Sequence, residues 1–308
     1  MNNIFGINEY CYLKINKIIL LNDNKIVACA DDGNVYIYAN SNKDKEYYYF
    51  KFSCIKITDV GEVRDIIEMD DGNIIVCGEE GSINIIKISK YNAFYVDGVK
   101  PTDYSINQII KLLDGNIIAC SDDGHLYIFK YNSKEESLEM IRAVFLHYQI
   151  LNICQCNNNE LAASVFEKNE LFWKQCSLRF YDNSYQLITS IKLKNMSLGQ
   201  KLEIINESKL FACYGANIII INLKNHSIIN IIKINKINIF LLFKDNILLG
   251  GDKIGNIYKW EIKNNNINLK NIINGHNNEC VSGIIKFKGN KFITCGHDGN
   301  IFIWEDEK

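Results

Sequence analysis

Apolar and polar positions alternate in a unit that recurs along this chain. The clearest copies are KIVACADDGNVYIY (residues 25–38), NIIVCGEEGSINII (73–86), NIIACSDDGHLYIF (116–129) and KFITCGHDGNIFIWED (291–306), with weaker copies at 209–222 and 246–261. Each copy has an apolar run that ends in small residues, a turn of acidic residues, Asn or Gly, and a second run rich in Val, Ile, Tyr and Phe. This pattern is typical of a β-hairpin.

The spacing of the turn glycines indicates the size of the repeating unit. The glycines that share this place are Gly33, Gly81, Gly124, Gly255 and Gly299. Their separations are 48, 43, 131 and 44 residues, and the longest interval holds two divergent copies, around Arg179 and Asn217. A period of roughly 40 to 50 residues suits a unit of four strands.

The sequence therefore predicts seven sheets, with hairpins near residues 32, 80, 123, 172, 216, 254 and 298. A sheet of this size cannot bury both apolar faces alone, whereas radial stacking into a ring covers the faces and protects the edges. We predict an all-β fold, a seven-bladed β-propeller of four-stranded antiparallel blades, in one domain over residues 1–308. The last unit lacks an outer strand, so residues 4–14 are expected to complete it and close the ring.

The final copy resembles a WD40 repeat. Gly275 and His276 resemble the GH pair of that family, and Trp304 with Glu305 resembles its WD pair. The resemblance extends in weaker form over nearly the whole chain. It implies a buried hydrogen-bonded network of His276, Asp298 and Trp304, which agrees with the cost of leaving any of these buried polar groups unsatisfied.

The other copies depart from the WD40 pattern. Asp32, Glu80 and Asp123 keep the acid of the turn, but these copies lack a GH pair and end without Trp. The sixth copy has a WD-like end at Trp260, but Ile254 stands where the turn acid is expected. Only one complete network is therefore expected in the chain.

Composition and charge limit the classes of function. The net charge of −2, with Lys and Arg spread along the chain, disfavours a nucleic-acid binder. No apolar run is long enough for a transmembrane helix, and no basic leader begins the chain. Cys29, Cys77, Cys120 and Cys295 occupy one slot of the repeat, which indicates core packing without disulfides and an intracellular protein. No basic targeting cluster is evident, so we favour the cytoplasm, with the nucleus left open as the alternative.

The chain shows no candidate catalytic constellation. Its five histidines fall in turns, loops or the WD40-like network, and it lacks a Gly-rich phosphate loop, HExxH and GxSxG. We expect no metal and no cofactor. An FRRG motif, which binds phosphoinositides in some propellers with similar repeats, is absent, as is the WDxR motif that recruits propellers to a ubiquitin ligase. The predicted function is a non-catalytic protein-interaction scaffold within a larger assembly.

Two groups of residues are candidates for partner binding. The first acids of three turns, Asp31, Glu79 and Asp122, are expected on one rim, where they would attract a basic peptide; the competing interpretation is that the turn acids only cap their turns. Phe166, Phe172 and Trp173 lie in an extended hairpin, where they either anchor a partner or pack against a neighbouring blade. An enzyme or small-ligand site in the central channel is a further alternative.

Overall fold

The structure, a computed structural model, describes residues 1–8, 13–40, 49–57, 61–90, 92–168, 174–193, 199–234 and 237–306. These residues form four-stranded antiparallel sheets, which we call blades 1 to 7 in chain order. Phe172 and Trp173 lie outside the described residues. Within that part of the chain, no helix is long and apolar enough to cross a membrane.

The chain begins with β1 (Asn2–Asn8), which belongs to the last blade. Blade 1 contains β2 (Ile15–Leu20), β3 (Ile26–Ala30), β4 (Asn34–Asn40) and β5 (Tyr49–Lys56). Blade 2 contains β6 (Val63–Glu68), β7 (Ile74–Gly78), β8 (Ile83–Ile88) and β9 (Ala93–Val99). Blade 3 contains β10 (Ile106–Lys111), β11 (Ile117–Ser121), β12 (His125–Asn132) and β13 (Ser137–Phe145). Blade 4 contains β14 (Gln149–Gln155), β15 (Leu161–Lys168), β16 (Lys174–Tyr181) and β17 (Leu187–Leu193).

Blade 5 contains β18 (Gly199–Asn206), β19 (Lys209–Tyr214), β20 (Asn217–Asn222) and β21 (Ser227–Lys233). Blade 6 contains β22 (Ile237–Lys244), β23 (Ile247–Asp252), β24 (Asn256–Lys263) and β25 (Asn266–Asn274). Blade 7 contains β26 (Val281–Lys286), β27 (Lys291–Gly296) and β28 (Asn300–Glu305), with β1 as its outer strand. The first strand of each blade contacts the first strands of both neighbours, so these strands surround the axis of the ring. The seven-bladed propeller predicted from the repeats is confirmed.

The strand β1 closes the ring by pairing with β28, from Asn2 opposite Glu305 to Asn8 opposite Asn300. The expected range of 4–14 needs correction, because the strand lies at Asn2–Asn8, residues 9–12 are outside the described part of the chain, and Ile15 already begins β2. The length of the partner explains the difference. Since β28 has six residues, an antiparallel neighbour has no further backbone partner beyond Asn8.

The core lies between the blades. Each second strand is buried on both faces: in β3, Ile26 and Ala28 pack with Ile293 of blade 7, whereas Val27 packs with Ile74 of blade 2. Alternate side chains of a strand point to opposite faces of its sheet, so one strand supplies two interblade cores. Each buried aliphatic side chain stabilises the fold by about 1.5–3 kcal/mol relative to exposure.

Side chains of the inner strands also join the blades by hydrogen bonds. Every inner strand has a bulge near its start, as between Ile15 and Lys17 in β2. In three blades the residue at the bulge donates to the next blade: Asn16 Nδ2 to the Val63 carbonyl at 3.0 Å, Asn107 Nδ2 to the Ile150 carbonyl at 2.8 Å, and Ser282 Oγ to the Ile15 carbonyl. These bonds fix the angle between adjacent sheets.

Deletion of residues 1–8 tests the closure. We expect the melting temperature to fall by about 10 °C or more, because β28 becomes an unpaired edge and the packing of Phe5 and Ile7 on the blade 1 and blade 7 core is lost. A synthetic peptide of residues 1–12 should restore much of the loss by adding a strand to that edge. Thermal unfolding with and without the peptide is the measurement, and an unchanged melting temperature would contradict the closure.

Candidate functional site

The buried polar centre of blade 7 is a hydrogen-bonded chain of four side chains. His276, in the loop before β26, is fully buried; its Nδ1 lies 2.9 Å from Asp298 Oδ1 and its Nε2 lies 2.7 Å from Thr294 Oγ1. The indole N–H of Trp304 donates to the same Thr294 oxygen at 2.8 Å. The structure thus brings His276, Asp298 and Trp304 together, with Thr294 as the connecting residue, which the sequence analysis missed.

Proton positions in this chain follow from its donors and acceptors. Asp298 also accepts from the backbone N–H of Asn300 at 3.1 Å and from its side-chain amide at 2.9 Å. Burial raises the pKa of Asp298, but the hydrogen bonds from His276 and Asn300 outweigh it and hold the pKa below its ordinary value. With the carboxylate ionised, His276 Nδ1 donates, His276 Nε2 accepts the Thr294 hydroxyl, and each polar atom of these four side chains has a partner.

Tyrosine replaces histidine as the partner of the turn acid in three other blades. Tyrosine hydroxyls donate to acids of the same hairpin: Tyr36 to Asp32 at 2.6 Å, Tyr127 to Asp123 at 2.6 Å and Tyr258 to Asp252 at 2.8 Å. The expectation that Ile254 leaves the sixth blade without a turn acid is wrong. Asp252, two residues earlier, accepts from the backbone N–H groups of Ile254 and Asn256 and performs the same capping.

The first acids of the turns all lie on one rim of the ring, but their surroundings differ. This rim, which we call the turn rim, contains the hairpins between the second and third strands, at residues 31–33, 79–82 and 122–124. Glu79 is exposed. Asp31 is half-buried and accepts the Lys14 backbone N–H at 3.1 Å; Asp122 is half-buried and accepts side-chain amides from Asn107 at 2.5 Å and Gln149 at 2.7 Å.

Of the aromatic candidates of the fourth blade, the one that the structure describes, Phe166, is buried. Phe166 lies in β15 with 6% of its surface exposed and packs with Leu178 and Leu193 in the core between blades 4 and 5. Both faces of a second strand are covered in a propeller, so an aromatic side chain there is buried whichever way it points. The hairpin is long, since β15 and β16 remain paired from Leu161 opposite Tyr181 to Lys168 opposite Lys174. Phe172 and Trp173 cannot be placed, because they lie outside the described residues.

The inner strands carry charged groups that the sequence analysis also missed. Lys17 and Asp65 occupy equivalent places just after the bulges of β2 and β6, and their charged atoms lie 2.6 Å apart. Asp65 also accepts the Ile109 backbone N–H from blade 3 at 3.0 Å. Lys201 occupies the same place in β18; burial holds its pKa below the ordinary value, and Glu203 at 3.9 Å offsets only part of that effect.

The repeat does contain a signal for these charged residues. Lys17, Asp65 and Lys201 each stand opposite a cysteine of the second strand, namely Cys29, Cys77 and Cys213. In three blades, the residue paired with the cysteine slot is therefore charged. Burial raises the pKa of these thiols, so they behave as apolar packing groups. Over the part of the chain that the structure describes, no cluster of three His, Cys, Asp or Glu side chains could hold a metal ion.

Comparison with known proteins agrees with this geometry. The WD40 family model, described as WD domain, G-beta repeat, matches residues 267–305, which contain the network of Thr294 and Trp304. No curated protein matches the sequence. Among solved structures, the chain is similar to the crystal structure of the WD40 beta propeller domain of Doa1, with a TM-score of 0.78 and 12% identity over 99% of this chain and 97% of that chain. At this identity the likeness shows the fold alone.

Substitution of Thr294 by Val tests the polar chain of blade 7. We expect the free energy of unfolding to fall by about 3 kcal/mol, because the Trp304 indole loses its acceptor and His276 Nε2 loses its donor, each in a buried site. Thr294→Ser keeps the hydroxyl and should cost less than about 1.5 kcal/mol. Denaturant unfolding of the two variants is the measurement, and equal losses would show that the hydroxyl is not the important group.

The Asp298 carboxylate makes the stability of the fold depend on pH. Since its folded pKa lies below the unfolded value of about 3.9, its contribution is present above that value and is lost as the pH falls through the folded pKa. We expect Asp298→Asn to be less stable than wild type by about 2 kcal/mol at pH 7, and the difference to shrink below about pH 4. Denaturant unfolding at a series of pH values checks this, and a constant difference would contradict it.

Proposed function

This chain is a WD40-repeat β-propeller, and from that premise we propose that it is a non-catalytic platform that binds protein partners. We further propose that its docking surface is the turn rim of blades 1 to 3, and that the partner presents a basic segment there. Among the described residues, the buried Cys29, Cys77, Cys120 and Cys295 form no disulfide, which fits a reducing compartment, so we propose an intracellular, cytoplasmic location.

The observation that carries the proposal is that the rim carboxylates are held by neutral donors. Asp32 accepts from Asn34 and Tyr36, and Asp122 accepts from two amide side chains. Within the described ranges, no lysine or arginine side chain forms an ion pair with Asp31, Asp32, Asp122 or Asp123. Their hydrogen bonds are therefore satisfied by neutral groups, and no described ion pair with lysine or arginine offsets their charge.

Turn capping and partner binding are compatible at this rim. The second acid of a turn, such as Asp32 or Asp123, has its oxygens engaged by the hairpin itself. Its charge still acts over about one Debye length, roughly 10 Å at 0.1 M salt. Together with the exposed Glu79, these charges produce a negative arc that steers a basic segment toward three consecutive blades.

Rigidity of the ring supports the role of a platform. Arg64 is held by Glu62 at 2.8 Å and donates to Asn107 Oδ1 of the next blade at 2.7 Å, and Asn107 in turn bonds to blade 4. These contacts lie next to the turn acids and fix the spacing of three blades. A surface that is already ordered loses little conformational entropy when a partner binds.

Neutralisation of the three first acids tests the docking surface. In a tagged protein purified from its own cells, we expect wild type to retain a stoichiometric partner at low salt, and the triple variant Asp31→Asn, Glu79→Gln, Asp122→Asn to bind it about tenfold more weakly. The matched control, Asp70→Asn, Asp114→Asn, Asp245→Asn, removes three charges from the opposite rim and should bind as wild type does.

The salt dependence of partner binding provides a second test of the turn rim as the docking surface. Wild-type binding should weaken as salt rises from about 50 to about 300 mM, and the triple variant should show a shallower dependence. Equal binding and equal salt dependence in wild type, triple variant and control would reject the rim. Recovery of the propeller without any partner would count against the platform itself.

A further inference from the structure

A cavity opens on the turn rim between blades 3 and 4. It has a volume of about 240 Å³ and is lined by two acids, Asp122 and Asp123, and by the rings of Phe145, His147 and Tyr148. Pockets that hold a drug-sized ligand run from roughly 300 to 1,000 Å³. The cavity therefore suits the end of one side chain.

The walls of this cavity are built by two segments in direct contact. Gly124, in the turn after the acids, has a φ of +84°, and a Cβ there would lie 3.0 Å from the Tyr148 carbonyl oxygen and 3.3 Å from the Phe145 ring. Only a glycine lets the turn approach the loop between β13 and β14 so closely. The carboxylates of blade 3 are thereby brought beside the rings that lead into blade 4.

The aromatic wall is partly exposed. Phe145, at the end of β13, is 49% exposed and lies between two histidines, with ring centroids 4.7 Å from His125 and 4.4 Å from His147. Phe166 forms the buried end of the cavity, and only 6% of its surface is exposed. An aromatic face attracts a cation through its quadrupole, most strongly where water is partly excluded.

The charge of the cavity is negative. Asp122 is held by two amide side chains, and Asp123 by the hydroxyls of Tyr127 at 2.6 Å and Thr102 at 2.7 Å. Burial raises the pKa of Asp123, but these hydrogen bonds outweigh it and hold the pKa below its ordinary value, so the carboxylate is ionised at neutral pH.

The neighbouring arginines are each held by another acid. Arg64, which donates to the Asn107 amide, is paired with Glu62 at 2.8 Å. The Arg179 guanidinium lies 4.0 Å from the centroid of the Tyr148 ring and bonds to Glu167 at 2.8 Å. It therefore covers one face of Tyr148 and has its own carboxylate partner. Neither arginine forms an ion pair with Asp122 or Asp123, so the two acids can accept a cation from a partner.

We propose that this cavity binds the ammonium or guanidinium group of a lysine or arginine side chain of a partner, between the carboxylates of Asp122 and Asp123 and the exposed ring of Phe145. This inference rests on the proposed function and deepens it, since the cavity gives the negative rim one specific anchoring point. The two acids supply the negative charge that attracts the cation. The aromatic wall of the cavity favours a cationic side chain that also presents apolar carbon.

The test uses the full chain and capped pentapeptides Gly-Gly-X-Gly-Gly, with X as lysine, trimethyllysine, arginine or norleucine. In NMR titrations, we expect the cationic peptides to shift the side-chain resonances of His147 and Tyr148 and the norleucine peptide to leave them unchanged. The order of affinity among the cationic peptides distinguishes a site for an ammonium group from a site for a guanidinium group. Asp122→Asn and Phe145→Ala should each weaken binding about fivefold.

Controls separate loss of the site from loss of the fold. Asp70→Asn, on the opposite rim and paired with Lys111, should bind the peptides as wild type does, and thermal unfolding of each variant verifies that it is folded. Equal shifts with the norleucine and lysine peptides, or unchanged affinity in both folded site variants, would overturn the cavity assignment.

The outcome is distinguishable from failure of the proposed function. If a native partner binds in a manner that depends on Asp31 and Glu79 but not on Phe145, the rim is the docking surface and the cavity assignment is wrong. If the cationic peptides bind at Phe145 but neutralisation of Asp31 and Glu79 leaves partner binding unchanged, the cavity takes cations and the wider rim is not the docking surface.

Discussion

Everything in this structure depends on the fact that each sheet has two apolar faces and can cover neither alone. The second strands show it most directly, because the five residues of β3, β7 and β11 are all buried. Each blade therefore requires a neighbour on both sides, and only a closed ring satisfies all of them. Pairing of β1 with β28 completes the last sheet, so the first eight residues are part of the closure of the ring.

Closure of the ring also determines which parts of the protein are exposed to solvent. The inner strands are covered by neighbouring blades, so the two rims and the outer strands are left to meet partners. On the turn rim, carboxylates are held by tyrosine hydroxyls, amides and backbone N–H groups, which fix their positions without cancelling their charge. In blade 7 the same place is occupied by Asp298, whose partner is the buried His276. The same hairpin geometry thus places an acid in a stabilising buried network in blade 7, and in other blades it places an acid whose charge acts at the surface.

The sequence predicts the features that form between residues close together in the chain. It misses the contacts that join segments far apart in the chain. Seven hairpins were readable because turn glycines and apolar runs lie within about fifteen residues of each other. Thr294 gave no such signal, because its role depends on His276 and Trp304, which only the folded blade brings to one oxygen. The pair of Lys17 and Asp65 is likewise formed between blades, and Phe166 is buried by a neighbouring sheet.

The central claim is that the turn rim of this propeller is its docking surface. Hydrogen–deuterium exchange of the full chain, with and without the partner purified from its own cells, tests it most directly. We expect slower exchange in the complex at residues 31–33, 79–82 and 122–124 and in the loop 145–149, with the turns of the opposite rim unchanged. Protection confined to the opposite rim or to the outer strands would contradict the account.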